Sequence, residues 1–273
     1  MITDTCCDKV YFSSDIVYYQ CWRDLKPLLL QLKIPFDFIH HTKDLWVRDF
    51  MPIQVSENRF VQFVYHPSYL QGLERYRSNP NLCTQELPYP LLQSNILLDG
   101  GNVIKCDDCV LITDKVFSEN CQLSPTEIID ELQRILDTEV VIIPNDPLEE
   151  CGHADGMVRY LGNQRVLLNH YCDFDLPLRE KLIKALTPRF EIVELHYGTA
   201  RYLATSWAYL NYLLIGKDLF VPCLNRRLDE VAYRQLKEAL HVAVHPIRCR
   251  STVKIGGGLN CLSWTVKEPI KMN

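Results

Sequence analysis

The 273-residue chain repeats one pattern of secondary structure about every 50 to 55 residues, and this repeat limits its possible folds more than any other feature. Each unit is predicted to contain a helix, a short strand and a hairpin. The hairpins are indicated by pairs of apolar segments separated by turns such as Ser-Glu-Asn, Cys-Asp-Asp, Gly-Asn-Gln and Gly-Lys-Asp. The predicted hairpin segments are 45–65, 95–113, 153–170, 206–224 and 252–267. Five such units can close into a ring.

Four helices are predicted between the hairpins, each followed by a short strand. In the clearest one, 124–137, Ser124 is expected to cap the helix, Pro125 to open it and Glu127 to complete a capping box. The other predicted helices are 15–32 (interrupted by Pro27), 176–186 and 227–241, and the strands that follow the four helices are 36–40, 140–144, 191–195 and 242–246. The second unit is predicted to have a loop, 67–90, in place of a helix. Without a Gly/Ser-rich linker, we predict a single α/β domain over residues 1–273.

The composition narrows the kinds of partner and compartment. Hydrophobic residues make up 47% of the chain, enough for a sizeable core. The net charge of −5 argues against nucleic acid or a membrane surface as partners and leaves room for a cationic small-molecule substrate. The sequence contains neither an apolar run long enough to cross a membrane nor a secretory signal pattern. We therefore expect a cytoplasmic protein whose twelve cysteines are mostly free thiols.

One position in each unit carries a polar or reactive side chain, and we place it on the first strand of the predicted hairpin. The residues at this position are Asp49, Asp99, His153 with Asp155, Ser206 (the weakest candidate) and Cys261. Equivalent positions of a closed ring converge on its axis. We therefore expect a thiol, an imidazole and three carboxylates to meet in one place.

This combination of groups indicates chemistry on a guanidinium. Cysteine is a nucleophile as its thiolate, and imidazole moves protons near neutral pH. Carboxylates gathered in one site repel each other unless a cation lies between them, and a planar guanidinium binds carboxylates through paired N–H groups. A Cys–His–Asp hydrolase acting on amides is an alternative, although additional carboxylates at the reacting carbon would oppose formation of an oxyanion.

Five short motifs also resemble those of a known family. They are Trp46-Val47-Arg48-Asp49, Asp99-Gly100-Gly101-Asn102, Gly152-His153-Ala154-Asp155, Ala204-Thr205-Ser206-Trp207 and Gly257-Gly258-Leu259-Asn260-Cys261. In order and spacing they resemble the agmatine and arginine deiminases of the guanidino-group-modifying (pentein) superfamily, from about residue 35 to residue 267. The resemblance implies a five-bladed α/β propeller that uses neither a metal nor another cofactor.

The resemblance also implies a role for each site residue. Cys261 would attack the guanidinium carbon, ammonia would leave, and water would hydrolyse the covalent thiouronium to a ureido product. His153 would be the general acid and base. Asp49 and Asp155 would hold the guanidinium nitrogens, and Asp99 would assist in both catalysis and substrate binding.

The substrate and the reaction class stay open at this point. The deiminase motif usually has Glu where this chain has Asp99, and Asp at this position resembles the dimethylarginine hydrolases. The spacing before Cys261 resembles that of arginine deiminases and amidinotransferases. Agmatine, arginine, methylated arginine and peptidyl-arginine are candidate substrates. Arg159 and Arg201 are candidates for binding a substrate carboxylate, and Trp46 either packs in the core or stacks on the substrate. An amidinotransferase and a non-catalytic binding protein are alternative functions. Assembly into a homo-oligomer is a separate open point.

Overall fold

A computed structural model describes residues 1–149, 151–199 and 203–268. In this part of the chain, fifteen strands form five sheets of three strands each. The strands are β1 (Lys9–Ser13), β2 (Phe36–Ile39), β3 (Ile53–Ser56), β4 (Arg59–Val64), β5 (Leu91–Leu97), β6 (Val103–Lys105), β7 (Cys109–Thr113), β8 (Glu139–Ile143), β9 (Val158–Gly162), β10 (Arg165–Leu168), β11 (Glu191–Glu194), β12 (Leu213–Ile215), β13 (Asp218–Cys223), β14 (Ala243–Arg248) and β15 (Ser263–Val266).

All five sheets share one connectivity. In the first sheet along the ring, β3 and β4 form an antiparallel hairpin and β5 pairs parallel to β4. The same arrangement recurs in β6–β8, β9–β11 and β12–β14. In the fifth sheet β15 is antiparallel to β1, and β2 is parallel to β1. The two ends of the chain therefore close the ring that the repeat predicts, and the five sheets form the five-bladed α/β propeller that the family resemblance implies. The predicted hairpin at 252–267 is wrong, because β15 takes its partner from the N-terminal strand.

The four predicted helices are present, and their bounds agree with the prediction to within one residue except at the start of the first. Five short helices were not predicted. The structure describes nine helices in all. They are α1 (Gln20–Gln31), α2 (Val47–Phe50), α3 (Pro80–Thr84), α4 (Lys115–Glu119), α5 (Pro125–Leu136), α6 (Tyr171–Phe174), α7 (Leu176–Leu186), α8 (Arg226–Leu240) and α9 (Arg250–Val253). In the described residues no helix has the length and apolar content needed to span a membrane.

Local sequence explains where two of these helices begin and continue. The capping box of α5 is confirmed, since Ser124 Oγ accepts a hydrogen bond from Glu127 N and Glu127 Oε2 accepts one from Ser124 N. Pro27 lies inside α1 instead of interrupting it. Its ring is exposed, so water can solvate the carbonyl group that loses its helical partner. The predicted start of α1 at residue 15 is also wrong, because Ser14–Tyr18 forms a 3-10 helix.

Packing of α5 against side chains of two neighbouring sheets links these sheets in the ring. Helix α5 buries one apolar face in a cluster with side chains of the neighbouring strands, and the buried residues of that face are Ile128, Leu132, Ile135 and Leu136. Each fully buried aliphatic side chain contributes about 1.5 to 3 kcal/mol to folding. The second unit lacks a long helix, as predicted, but 67–90 contains the short helix α3.

The candidate site residues lie in turns that precede the hairpins, and their predicted placement on the first strands is wrong. Asp49 lies in α2. Asp99 and His153 each immediately precede a 3-10 turn, and Asp155 lies inside the second of these turns. Cys261 lies in the turn that leads into β15. The glycine-containing motifs form these tight turns instead of strand ladders. Successive turns contact one another around the ring, so the expected convergence still occurs.

Candidate active site

His153 lies between two carboxylates in the interior of the ring. Its Nε2 is 2.9 Å from Asp99 Oδ2, and its Nδ1 is 3.6 Å from Asp49 Oδ1. All three side chains are buried. Burial by itself would lower the pKa of His153, but the charges of Asp49 and Asp99 outweigh it and raise the pKa to about 9. The imidazole is therefore protonated at neutral pH and can donate a proton.

The carboxyl group of Asp49 is poised to accept a cation. Burial makes the largest contribution to its raised pKa, and the charges of Asp99 and Asp155 raise the pKa further. The charge of His153 lowers it, and the resulting pKa is about 8. The backbone N–H of Gly101 donates a hydrogen bond to Asp49 Oδ1 at 3.2 Å. A positively charged ligand beside this carboxyl group would favour its ionised form.

The Cys261 thiol lies beside a third carboxylate. Its Sγ is 3.7 Å from Asp155 Oδ2, which also accepts a hydrogen bond from Asn260 Nδ2 at 2.7 Å. Burial raises the pKa of the thiol well above its usual value, and the charges of Asp155 and Asp49 raise it further. The thiol is therefore neutral in this state. Only a cation between the carboxylates and the sulfur would favour the thiolate.

Backbone and amide contacts fix the position of the cysteine. The side-chain oxygen of Asn211 accepts a hydrogen bond from Cys261 N at 3.1 Å. Arg48 supports the same turn, since its Nε donates to Asn260 O and its backbone N–H donates to Cys261 O. Arg48 also donates to Thr265 Oγ1. These contacts connect α2 to the turn that carries the thiol.

Two glycines allow the reactive groups to approach one another closely. A Cβ atom added to Gly101 would lie 2.6 Å from Asp49 Oδ1 and 2.7 Å from His153 Nδ1. A Cβ atom added to Gly257 would lie 2.0 Å from Cζ3 of Trp46. Neither position can hold a larger residue without displacing its neighbours. The half-buried Trp46 ring thus packs on the glycine segment that precedes Cys261.

The structure also brings in residues that the sequence analysis missed. The ring of Tyr69 lies 5.8 Å from the ring of His153, edge to face, and Lys115 Nζ lies 4.9 Å from the centre of the Tyr69 ring. Tyr69 belongs to the segment predicted as a loop, where no local pattern indicates its contact with the site. Asn260 could have been found, since it directly precedes Cys261 in the quoted motif.

Arg159, a sequence candidate for binding a substrate carboxylate, is engaged elsewhere. Arg159 is buried, its Nη2 is 2.7 Å from Asp4 Oδ2, and its Nη1 donates to two backbone carbonyl groups. It is therefore committed within the protein and a poor partner for a substrate carboxylate. Arg201 lies outside the described residues. Ser206 is buried and its backbone N–H donates to Leu203 O.

Comparison with known proteins gives a family match and a set of similar structures. The family model described as Porphyromonas-type peptidyl-arginine deiminase matches residues 20–267. Among solved structures, an agmatine deiminase from C. jejuni superposes with a TM-score of 0.79 at 17% identity, covering 99% of this chain and 96% of that chain. The agmatine deiminase of Enterococcus faecalis gives 0.74 at 15% identity, with 97% and 94% covered. DDAH from Pseudomonas aeruginosa gives 0.59 at 12% identity, with 95% and 99% covered. No curated protein matches this chain in sequence. At these identities the similarity to the solved structures shows a common fold.

Proposed function

Because the chain belongs to the Porphyromonas-type peptidyl-arginine deiminase family, we propose that it is a hydrolase that converts a guanidino compound to the ureido product and ammonia. One observation carries the proposal. The Cys261 thiol, the His153 imidazolium and the carboxyl groups of Asp49, Asp99 and Asp155 occupy one buried site. We place the enzyme in the cytoplasm, because a reducing compartment keeps the Cys261 thiol available as the nucleophile.

Substrate binding would activate the nucleophile. A guanidinium held by Asp49 and Asp155 would neutralise the acids that raise the pKa of the thiol in the empty site. The same cation would lower the pKa of Asp49, so that the Asp49 carboxylate binds the guanidinium in its ionised form. The thiol proton then leaves to solvent, and the Cys261 thiolate faces the guanidinium carbon.

The chemistry would proceed in two halves that use the same histidine. In the first, the thiolate attacks the guanidinium carbon, His153 donates its proton to the leaving nitrogen, and the C–N bond breaks to release ammonia. In the second, the neutral His153 takes a proton from water, which attacks the thiouronium carbon. The C–S bond then breaks, the thiolate is restored, and the remaining hydroxyl proton passes to solvent, where it protonates the ammonia released earlier.

Asp99 would act through His153 and not on the substrate. Its Oδ2 is 2.9 Å from His153 Nε2, which leaves the other ring nitrogen near Asp49. This contact orients the ring and favours its protonated form. We therefore assign Asp99 as a positioning residue.

The charges around the site favour a substrate that is positive at both ends. Asp44 adds a half-buried carboxyl group whose pKa is raised to about 7 by burial, and its charge acts on Asp49. Lys115 is already engaged by Glu119 at 3.5 Å and by a backbone carbonyl group. An α-carboxylate would meet acids here, whereas the ammonium group of agmatine would be attracted to them.

A screen for ammonia release tests both the reaction and the substrate. Agmatine, arginine, methylated arginines and peptidyl-arginine are each incubated with the full chain. We expect agmatine to give the highest kcat/KM, at least about tenfold above arginine, because like charges in a desolvated site repel strongly. If none of these substrates releases ammonia, the proposed reaction is contradicted. A product that forms only when an amine acceptor is supplied would indicate an amidinotransferase instead.

The pH dependence tests the roles of Asp49, Asp99 and His153. We expect kcat/KM to rise as Asp49 ionises, at a pKa of about 8, and to fall as His153 loses its proton, at about 9. Asp99→Asn removes a charge that holds the proton on His153. The alkaline limb should therefore move to lower pH, with a loss of about 10²-fold in kcat.

The control is Asp130→Asn, which removes an exposed acid from α5 and should leave the profile unchanged. If Asp99→Asn lowers the activity but the alkaline limb stays in place, Asp99 has only a structural role.

A further inference from the structure

A second group of reactive side chains lies where α6 approaches the end of β11. Cys172 Sγ is 3.2 Å from His196 Nδ1, and the same nitrogen is 3.7 Å from Asp173 Oδ1. The three ligand atoms all lie within 4.8 Å of one another. A sulfur, a nitrogen and an oxygen atom therefore surround one point.

The geometry of the group differs from that of a catalytic triad. In a Cys–His–Asp triad the thiol and the carboxylate bind opposite nitrogens of the imidazole ring. Here both approach Nδ1, while Cys172 Sγ is 3.9 Å from Nε2 of His196. Burial raises the pKa of Cys172 to about 11, with further contributions from Glu194 and Asp173, so the thiol alone is a poor nucleophile.

The spacing of the three atoms fits a small tetrahedral ion. Zinc binds sulfur at about 2.3 Å and nitrogen or oxygen at about 2.0 to 2.2 Å, which places tetrahedral ligand atoms about 3.3 to 3.6 Å apart. The 3.2 Å from His196 Nδ1 to Cys172 Sγ is about 0.3 Å shorter than this geometry requires, and the 3.7 Å to Asp173 Oδ1 is about 0.3 Å longer. Slight rotation of the side chains would complete the geometry.

We propose that Cys172, Asp173 and His196 bind one zinc ion, with water as the fourth ligand. A thiolate and a carboxylate balance the two charges of the ion, and the mixed S, N and O set suits zinc better than magnesium or calcium. Glu194 lies close to Cys172, but both of its carboxylate oxygens accept hydrogen bonds from Arg179 at 2.6 Å. It therefore does not compete strongly for the ion.

Hydrogen bonds around the group hold two of the ligands in place before the ion arrives. The backbone N–H of Tyr197 donates to Asp173 Oδ2 at 2.7 Å, which leaves Oδ1 for the ion. The Gln235 side chain binds the backbone of His196 on both sides, accepting from its N–H and donating to its carbonyl oxygen, each at 2.8 Å. Outer contacts of this kind raise metal affinity by fixing the ligands. The ion would tie α6 to the segment after β11.

The test uses the Cys261→Ala chain as parent, so that the active-site thiol cannot bind metal. Titration with ZnCl₂ against a chromophoric chelator should give one ion per chain. Calorimetry in two buffers of different ionisation enthalpy should show release of about one proton per ion at neutral pH, because the thiol must ionise. Cobalt(II) in place of zinc should give a sulfur-to-cobalt charge-transfer band in the near ultraviolet.

Three variants in this parent identify the ligands. Cys172→Ala and Asp173→Asn should each weaken zinc binding by at least about 10-fold, and Cys172→Ala should also remove the cobalt band. His196→Ala should weaken binding equally. This substitution should leave folding unaffected, because the His196 side chain is 61% exposed. Cys121→Ala, which removes an exposed thiol elsewhere, is the matched control and should bind as the parent does. Zinc binding by His196→Ala as tight as by the parent, or no binding by the parent, would overturn the proposal.

Discussion

The Cys261→Ala variant is expected to lose ammonia release almost completely, with kcat lower by at least about 10⁴-fold. The proposed reaction passes through a bond between Cys261 Sγ and the guanidinium carbon, and the methyl group of alanine cannot form it. Asp49 and Asp155 remain in the variant. The substrate should therefore still bind, and calorimetry should give an affinity close to that of the unmodified enzyme.

The expectation is tested against Cys121→Ala, which should keep full activity because this exposed cysteine belongs to a different part of the chain. In the unmodified enzyme, acid quench during turnover followed by mass spectrometry should show a thiouronium adduct on Cys261. Full ammonia release by Cys261→Ala would falsify the assignment of the nucleophile.

Asp155→Asn is expected to reduce kcat/KM by about 10²- to 10³-fold, since removing one partner of a buried charge pair costs about 2 to 5 kcal/mol. The substitution preserves the shape of the side chain. Its amide oxygen can still accept the hydrogen bond that Asn260 Nδ2 donates to Asp155. The loss should therefore come from the missing charge opposite the guanidinium.

The thiol gives a second measurement on Asp155→Asn that a merely misfolded variant would not reproduce. In the empty enzyme the charge of Asp155 helps to raise the pKa of Cys261. Its removal should lower that pKa, so Cys261 should react faster with iodoacetamide at a fixed pH in the absence of substrate. The parent enzyme and Asp130→Asn serve as references. An unchanged kcat/KM in Asp155→Asn would contradict its role in substrate binding.

Local sequence was sufficient for the elements whose stabilisation is itself local. Helix α5 begins where Ser124 and Glu127 form their capping box, and α7 has the predicted bounds of 176–186. The family resemblance read from five short motifs is confirmed by the match over residues 20–267. The assignment of residues 1–273 to one domain stays a prediction.

Local sequence was not sufficient where the partner of a segment lies far along the chain. The segment 252–267 was predicted as a hairpin, but β15 pairs with β1. The pairing of β15 depends on which strand of the closed ring has an unpaired edge, and no local sequence pattern indicates that strand. The site residues were assigned to strands for a related reason, because apolar residues beside polar ones resemble a strand whether or not a ladder forms.

The sequence by itself determined the repeat, the set of reactive residue types and the position of Cys261 within it, because each depends on residue identity and spacing. Tertiary structure decided which acid serves which group. Asp99 pairs with His153, whereas Asp155 lies beside the thiol. It also brought Tyr69 to the site, gave Asn211 its contact with the backbone N–H of Cys261, and paired Arg159 with Asp4. The physical reason is that hydrogen bonds and charge interactions act over a few ångströms in space, and only the closed ring brings distant turns within that range.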